Sequence, residues 1–383
     1  MIARPYAAAR RTLSISEKLL DVNWGLVLII AIIASVGFAM LYSVAGGHFS
    51  PWANKQILRF IIGLVMLVGC AMVDIRVWMQ VAYPAYAFSL LLLIATTIAG
   101  HVGLGAKRWI ELGPIELQPS ELMKISLILA LARYLHGLGV EDVSKPFRLL
   151  IPLAMIGIPA ALVLSQPNLG TATIIVADGV SLLFLAGLSW WWILPAFGAV
   201  AAAVPIGWQF LHDYQRRRVL TFLNPQLDAM GAGWNISQAE IAMGSGGLAG
   251  KGFLNGTQSQ LNFLPEANTD FAWTAIGEEF GFLGCTMLLL LFAIVIFYGV
   301  RIAVASRSQF ARLLALGLTL NFFFYIMING MMVTGLIPVV GIPMPLISYG
   351  GTAMLVVMFG FGLLMSCHVH RQVEIPRGSG SII

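Results

Sequence analysis

Asp270 stands where a long polar stretch gives way to an apolar one, in the segment 264–273, which reads LPEANTDFAW. A carboxylate at such a boundary is partly removed from water, which favours proton uptake and suits a general base. Asp and Thr are also good helix N-caps. Position alone therefore leaves two interpretations of Asp270 open, catalysis and capping.

A second group of candidate residues is cationic. Arg216, Arg217 and Arg218 are adjacent in the sequence, and guanidinium groups bind phosphate in bidentate fashion. Lys107 and Arg108, in another polar segment, add positive charge that folding can bring to the same place. The alternative for all five residues is simple anchoring to the phosphates of membrane lipids.

The elements that position these residues follow from the composition. The 383 residues are 59% hydrophobic and only 10% charged, whereas a soluble domain has about 25% charged residues. This excludes a soluble globular protein. The formal charge is +5, but the basic residues are scattered between apolar runs rather than gathered on one face, which argues against nucleic-acid binding.

Apolar runs of about 20 residues have the length that crosses a bilayer. The sequence contains ten such runs: 23–45, 54–73, 77–99, 119–137, 148–165, 170–188, 190–210, 271–300, 309–335 and 345–367. An even number of spans places both termini on the same side of the membrane. The distribution of Lys and Arg favours the cytoplasmic side for both termini.

The sequence therefore predicts an all-α polytopic membrane protein with about ten transmembrane helices and a long ordered extracytoplasmic loop between helices 7 and 8. The predicted organisation is a cytoplasmic segment 1–22, helices 1–7 within 23–210, the large loop 211–270, helices 8–10 within 271–367 and a cytoplasmic tail 368–383. In the loop, we expect 236–243 and 261–264 to form amphipathic segments on the membrane surface.

Ionisable residues inside a span are costly and mark either function or internal pairing. Glu121 and Lys124 are three residues apart at the start of the fourth run, so a helix places them on one face and we expect them to pair. Two roles stay open, a structural ion pair near a helix start capped by Gln118 or Ser120, and a part in the charge balance of a substrate.

Other acids in spans have similar alternatives. Asp178, in the middle of the sixth run, is expected to be a hydrogen-bonded acid that faces the bundle. Glu278 and Glu279 cannot both face lipid, so at least one points inward and hydrogen-bonds a neighbouring helix.

Glycines are concentrated in 244–252, which reads GSGGLAGKG. A Walker loop requires Gly where this chain has Ser245, and Ser or Thr where it has Gly252. Nucleotide binding is therefore not supported. The cluster instead predicts a tight loop whose backbone approaches another segment closely.

Eight segments together carry a resemblance to a known family. They are 105–113 (GAKRWIELG), 118–124 (QPSELMK), 166–171 (QPNLGT), 218–225 (RVLTFLNP), 256–266 (GTQSQLNFLPE), 269–271 (TDF), 277–281 (GEEFG) and 345–351 (PLISYGG). The chain resembles the SEDS family (shape, elongation, division and sporulation) over essentially its whole length, and its elongation branch more than its division branch.

The resemblance implies a bacterial inner-membrane peptidoglycan glycosyltransferase that polymerises lipid II on the periplasmic side. It also implies a class B penicillin-binding protein and other membrane proteins of the elongation complex as partners. Asp270 matches the family's essential acid, Glu121 and Lys124 match its charged pair, and Lys107, Arg108 and Arg218 match basic positions near its cavity. One departure is Asn168, where the family usually has an acid.

The chemistry follows from that substrate. A sugar 4-hydroxyl attacks an anomeric carbon while undecaprenyl pyrophosphate leaves, so one base and several cations are needed. We assign Asp270 as the base, Arg216 to Arg218 with Lys107 or Arg108 around the pyrophosphate, and Glu121 with Lys124 as the pair that sets the electrostatics of the cavity. No cofactor is certain, and a divalent cation (Mg²⁺ or Mn²⁺) that bridges the pyrophosphate fits this chemistry, although the sequence contains no dedicated ligand set.

Two rival functions use the same residues differently. A lipid II flippase also needs a charged path through a bundle, but transporters often contain paired broken helices near the midplane, and no such pair is found here. A noncatalytic scaffold leaves Asp270 and the arginines with capping and anchoring alone.

Overall fold

The computed structural model describes residues 14–99, 101–103, 106–112, 115–192, 194–195, 198, 202, 216, 220–224, 232–261, 263–264 and 266–376. Within these residues seven helices are long and apolar enough to span a membrane. They are α2 (Trp24–Val44), α3 (Ala53–Met72), α4 (Ile75–Ala99), α7 (Pro146–Ser165), α11 (Ala272–Ala305), α12 (Gln309–Val333) and α13 (Gly351–Val369).

Two further helices lie in the same bundle, α5 (Pro119–His136) and α8 (Leu169–Leu185). The nine helices correspond to nine of the ten predicted spans. The predicted run 190–210 lies mostly outside the described residues, as do 1–13 and 377–383 of the predicted termini. The count of ten spans therefore stays a prediction.

Shorter helices complete the described part of the chain. They are α1 (Ile15–Asp21), α6 (Val140–Val143), α9 (Ala232–Ser245) and α10 (Thr257–Gln260).

Helix α5 lies at the centre of the bundle. Fifteen of its 18 residues are buried, and it contacts α4, α7, α8, α12 and α13. Burial on all sides explains why this helix tolerates charges only where they are paired.

Three helices define two opposite faces of the bundle. At one face, the Gln118 backbone N–H before α5 donates to Thr352 Oγ1 at the start of α13, at 3.2 Å. We call this the Asp270 face, because the Tyr349 backbone N–H just before α13 donates to the Asn268 carbonyl. At the other, the C-terminal face, Gln309 Nε2 at the start of α12 donates to the Leu135 carbonyl at the end of α5, at 3.4 Å. Because α5 has 18 residues, the two faces are about 27 Å apart along its axis.

The polar segment between α4 and α5 contains a small antiparallel sheet. Its strands, in order β1 (His101–Gly103), β2 (Ala106–Leu112) and β3 (Ile115–Leu117), form the only sheet in the described residues. Strands of three residues are too short to show an alternation of apolar and polar side chains. Thr352 Oγ1 donates to the Glu116 carbonyl, which fixes the sheet to α13.

The structure describes two segments of the large loop that the sequence predicts to be amphipathic. The segment 236–243 is helical within α9, and buried Ile236, Ala239 and Ala242 show that one side of it packs against α11. Its position at the membrane surface stays a prediction. The described residues of 261–264 follow α10 outside any helix, with Leu264 buried and Leu261 exposed.

The glycine cluster after α9 makes the predicted close approach. A Cβ at Gly246 would lie 2.0 Å from the Gly277 carbonyl oxygen, and one at Gly250 would lie 2.1 Å from that of Glu279. Both distances are far below van der Waals contact, so this turn packs directly on the backbone of α11.

Candidate active site

Asp270 lies in the turn 266–271 that leads into α11, and its side chain is half-buried. The N-cap of α11 is Phe271, which makes no side-chain capping hydrogen bond. Thr269 Oγ1 donates instead to Glu266 Oε2 at 2.6 Å. Phe271, and not Asp270, therefore occupies the N-cap position of α11. The catalytic role of Asp270 stays a prediction.

The turn that carries Asp270 is held by its backbone. Asn329 Nδ2 donates to the Asp270 carbonyl at 2.9 Å and to the Ile342 carbonyl at 2.6 Å. On the other side, the Tyr349 backbone N–H donates to the Asn268 carbonyl at 2.7 Å. A Cβ at Gly341 would lie 3.3 Å from Asp270 Oδ2, so the carboxylate lies against glycine backbone, where a larger residue would crowd it.

The predicted ion pair is present. Lys124 Nζ lies 2.7 Å from Glu121 Oε1, and both side chains are buried. Lys124 Nζ also hydrogen-bonds Tyr325, whose hydroxyl donates to the other oxygen of Glu121. Because each charge is compensated within the cluster, this geometry favours the structural role of the pair.

The expected cap of α5 differs in detail. Gln118 is the N-cap residue, but its side chain makes no capping hydrogen bond. Its Nε2 donates to Ser120 Oγ at 3.1 Å, so neither side chain satisfies the free N–H groups of the first turn.

Asp178 faces the bundle as expected. Its Oδ2 accepts from Asn321 Nδ2 at 2.6 Å, and the residue is 1% exposed.

One stripe of α12 contacts the side chains of Asp178 and Glu121 and the backbone of Asp270. Asn321, Tyr325 and Asn329 follow each other at intervals of four residues, which places them on one face of the helix. They bind Asp178, the pair of Glu121 and Lys124, and the backbone of Asp270, respectively. Sequence reasoning missed these residues, although polar side chains at this spacing in an apolar span are the signal that reveals them.

Glu278 and Glu279 are both fully buried. Ser43 on α2 donates to Glu279, which is the predicted bond to a neighbouring helix. Glu278 fixes the large loop instead. Its Oε1 accepts from Lys251 Nζ at 2.7 Å and from the Gln258 backbone N–H at 3.0 Å.

Of the five predicted phosphate-binding cations, the structure describes the side chains of Arg108 and Arg216. Arg108 Nε donates to the Gln166 carbonyl at 2.9 Å, and its Nη2 donates to that of Pro167, at the end of α7. Lys107 belongs to β2, but its side chain lies outside what the structure describes. Arg216 is half-buried, whereas Arg217 and Arg218 lie outside the described residues. The convergence of these five residues on one phosphate-bearing group stays a prediction.

Arg59 is a further cation near the Asp270 turn that sequence reasoning missed. Its Cζ lies 4.9 Å from the ring centroid of Tyr349, the residue that binds the Asn268 carbonyl. An arginine within the apolar run 54–73 is costly unless it is used, and that cost is the signal that identifies it.

Asn168 acts as the N-cap of α8, since its Oδ1 accepts from the Thr171 backbone N–H at 3.3 Å. Among the described residues, no three His, Cys, Asp or Glu side chains are placed to hold a metal ion. A divalent cation that bridges the pyrophosphate stays a prediction.

Comparison with known proteins decides the family. The model of the FtsW, RodA and SpoVE family, described as cell cycle proteins, matches residues 18–373. The chain belongs to this family, SEDS. This SEDS protein is 43% identical over 349 residues to the peptidoglycan glycosyltransferase MrdB of Escherichia coli (strain K12), covering 90% of the chain and 93% of MrdB. It is 30% identical to the peptidoglycan glycosyltransferase RodA of Treponema pallidum, covering 92% and 98% of the two chains.

Solved structures agree with this assignment. A chain of a peptidoglycan synthase complex that coordinates polymerization and crosslinking matches with a TM-score of 0.80 and 30% identity, over 91% of the SEDS protein and 98% of that chain. RodA of Thermus thermophilus matches with a TM-score of 0.69 and 27% identity, over 91% and 97% of the two chains. These matches confirm the predicted fold class, a helical multi-pass membrane protein.

Proposed function

We propose that this SEDS protein is a peptidoglycan glycosyltransferase that polymerises lipid II, with Asp270 as the general base. The relatives named above as peptidoglycan glycosyltransferases support the reaction, since MrdB matches over 90% of the chain. The observation that carries the catalytic assignment is the setting of Asp270. Its half-buried carboxylate lies one residue before the N-cap of α11 and against Gly341, and Asn329 holds its backbone.

In the proposed step, a carboxylate oxygen of Asp270 takes the proton of a sugar 4-hydroxyl. The hydroxyl oxygen attacks the anomeric carbon of a second lipid-linked sugar, and the bond from that carbon to undecaprenyl pyrophosphate breaks. The bond electrons leave with the pyrophosphate, which departs as an anion. A general acid of the kind that glycosidases use is therefore unnecessary.

The fixed backbone around Asp270 supports this role through positioning. Asn329 and Tyr349 bind carbonyls of the turn at 2.9 and 2.7 Å. A carboxylate carried on a backbone held in this way needs less ordering during the reaction, which lowers the entropic part of the barrier.

Positive charge must stabilise the departing pyrophosphate. We assign this to Arg216, Arg217 and Arg218 together with Lys107 or Arg108. The carbonyls of Gln166 and Pro167 orient the Arg108 guanidinium. Glu121 and Lys124 act indirectly, because their partner Tyr325 lies on the helix that also carries Asn329.

The proposed orientation places the Asp270 face in the periplasm and both termini in the cytoplasm of a bacterial inner membrane. Basic residues on the C-terminal face support it, since cytoplasmic segments are enriched in Lys and Arg. They include Lys145, Arg148, Arg307, Arg312 and Arg371.

The proposed partner is a class B penicillin-binding protein that crosslinks the new glycan within the elongation complex. The similarity to a chain of a peptidoglycan synthase complex, with a TM-score of 0.80, supports a partner of this kind.

The reaction is tested with the purified full-length protein, its transpeptidase partner and lipid II. We expect glycan strands on a gel, and their loss when lipid II is omitted. Movement of labelled lipid II across vesicles without any polymer would instead identify a flippase.

A further inference from the structure

The C-terminal face contains two cavities that the proposed reaction does not use. The segment 374–376 lines both, with one cavity on each side. Their volumes are about 540 and 420 Å³. The arginines that line them are Arg307 and Arg312 in the larger cavity, and Arg76 and Arg133 in the smaller one.

Positive charge exceeds negative charge in these walls. Among the described residues that line the cavities, four guanidinium groups accompany a single carboxylate, Glu374. The nearest pair is weak, because Arg307 Nη1 lies 3.5 Å from Glu374 Oε1 and the two side chains are 58% and 75% exposed. The excess therefore has no compensating acid within the walls.

Some of these arginines are held in place by backbone. Arg133 Nη1 donates to the carbonyls of Met79 and Gln80, both at 2.9 Å, and its Cζ lies 4.4 Å from the ring centroid of Tyr83. Arg312 Nη2 donates to the Ser306 carbonyl at 3.3 Å. A guanidinium oriented in this way loses little further freedom when it binds an anion.

The position in the bundle indicates where the anion comes from. The lining residues lie at the beginning of α4, the end of α5 and the beginning of α12, where spanning helices reach the lipid headgroups. Basic pockets between transmembrane helices at the cytoplasmic side bind anionic headgroups. We propose that these two cavities bind the phosphate groups of anionic phospholipids, one on each side of 374–376.

The test uses purified full-length protein in neutral detergent, titrated with phosphatidylglycerol or phosphatidylcholine and followed by native mass spectrometry. We expect preferential binding of phosphatidylglycerol. Each arginine near an anionic membrane surface contributes about 1 kcal/mol, so each removed arginine weakens this binding by about fivefold. One variant combines Arg133→Gln with Arg312→Gln. The other is Arg307→Gln alone, chosen because the Arg307 side chain makes no hydrogen bond to backbone among the described residues, so its loss should not disturb folding.

Arg148→Gln is the matched control, since Arg148 lies on the same face but lines neither cavity. The hydrogen bond from Lys145 and the charge of Arg148, 2.6 Å away, lower the pKa of Asp142. This ionised carboxylate compensates the control cation.

Phosphatidylglycerol binding that is unchanged in Arg148→Gln and weakened in Arg307→Gln supports the proposal. An equal loss in the control would show diffuse surface attraction and overturn it. Displacement of the lipid by millimolar inorganic phosphate would identify a site for free phosphate and overturn it as well. Because this experiment measures lipid binding, a negative result would not bear on the proposed polymerisation of lipid II, which is tested separately.

Discussion

Tyr325 and Asn329 lie one helical turn apart on α12, and they hold two different parts of the candidate site. Tyr325 hydrogen-bonds the buried pair of Glu121 and Lys124, whereas Asn329 binds the backbone of Asp270 at 2.9 Å. Residues four apart on a helix are separated by about 6 Å along its axis. One rigid turn of helix therefore links a buried ion pair on α5 to the proposed base.

Asn329→Leu tests this positioning. The substitution leaves the carbonyls of Asp270 and Ile342 without their donor, and each unsatisfied buried group costs about 1–3 kcal/mol. We expect kcat for glycan synthesis to fall at least about tenfold while KM changes little, because Asn329 positions Asp270 and does not touch substrate.

Asn321→Leu is the matched control, the same substitution two turns away on the same stripe. It removes the donor to Asp178 and leaves the Asp270 turn intact. We expect a lower unfolding temperature with kcat nearly unchanged. Equal losses of kcat in both variants would contradict a specific role for Asn329.

Removing one member of the ion pair should destabilise the protein more than removing both members. Lys124→Met leaves Glu121 as an uncompensated buried charge, which costs about 3–5 kcal/mol. The double variant Glu121→Leu with Lys124→Met removes both charges, so we expect a higher unfolding temperature in detergent than for Lys124→Met alone. Strictly additive losses would show that the two side chains are not coupled.

The glycine turn on α11 gives a stability prediction. Gly250 has φ +79° and a Cβ there would lie 2.1 Å from the Glu279 carbonyl oxygen, whereas Gly247 has φ +55° and open space around it. Both alanine variants lose about 1–2 kcal/mol from the left-handed backbone. Only Gly250→Ala also displaces the turn, so we expect its unfolding temperature and its resistance to protease in 246–261 to be the lower of the two. The reverse order would contradict the close packing.

Local sequence spacing predicted the parts of the site that are local. Glu121 and Lys124 pair because three residues on a helix bring them together, and the glycines of 244–252 predicted a close backbone approach. Apolar run lengths likewise predicted the spanning helices, since hydropathy over about 20 residues is set by the bilayer.

The rest depends on contacts that no local pattern encodes. Asn329 and Asp270 are 59 residues apart, and Lys124 and Tyr325 are 201 apart. The apolar face of α9 has the same pattern whether it faces lipid or α11. The start of α11 at Ala272, with Phe271 as its N-cap, could not be read from residue types either, because Thr269 and Asp270 are the residues that favour an N-cap.

The most direct measurement of the central claim is polymerisation of purified lipid II by Asp270→Asn, with Glu266→Gln as the control in the same turn. Asn keeps the size of the side chain and cannot act as a base, and general-base catalysis contributes about 10²–10⁴-fold. We expect the rate of Asp270→Asn to fall at least about 100-fold with normal folding and membrane insertion, while Glu266→Gln stays close to wild type. Glycan strands made by Asp270→Asn at the wild-type rate would contradict the assignment of Asp270 as the base.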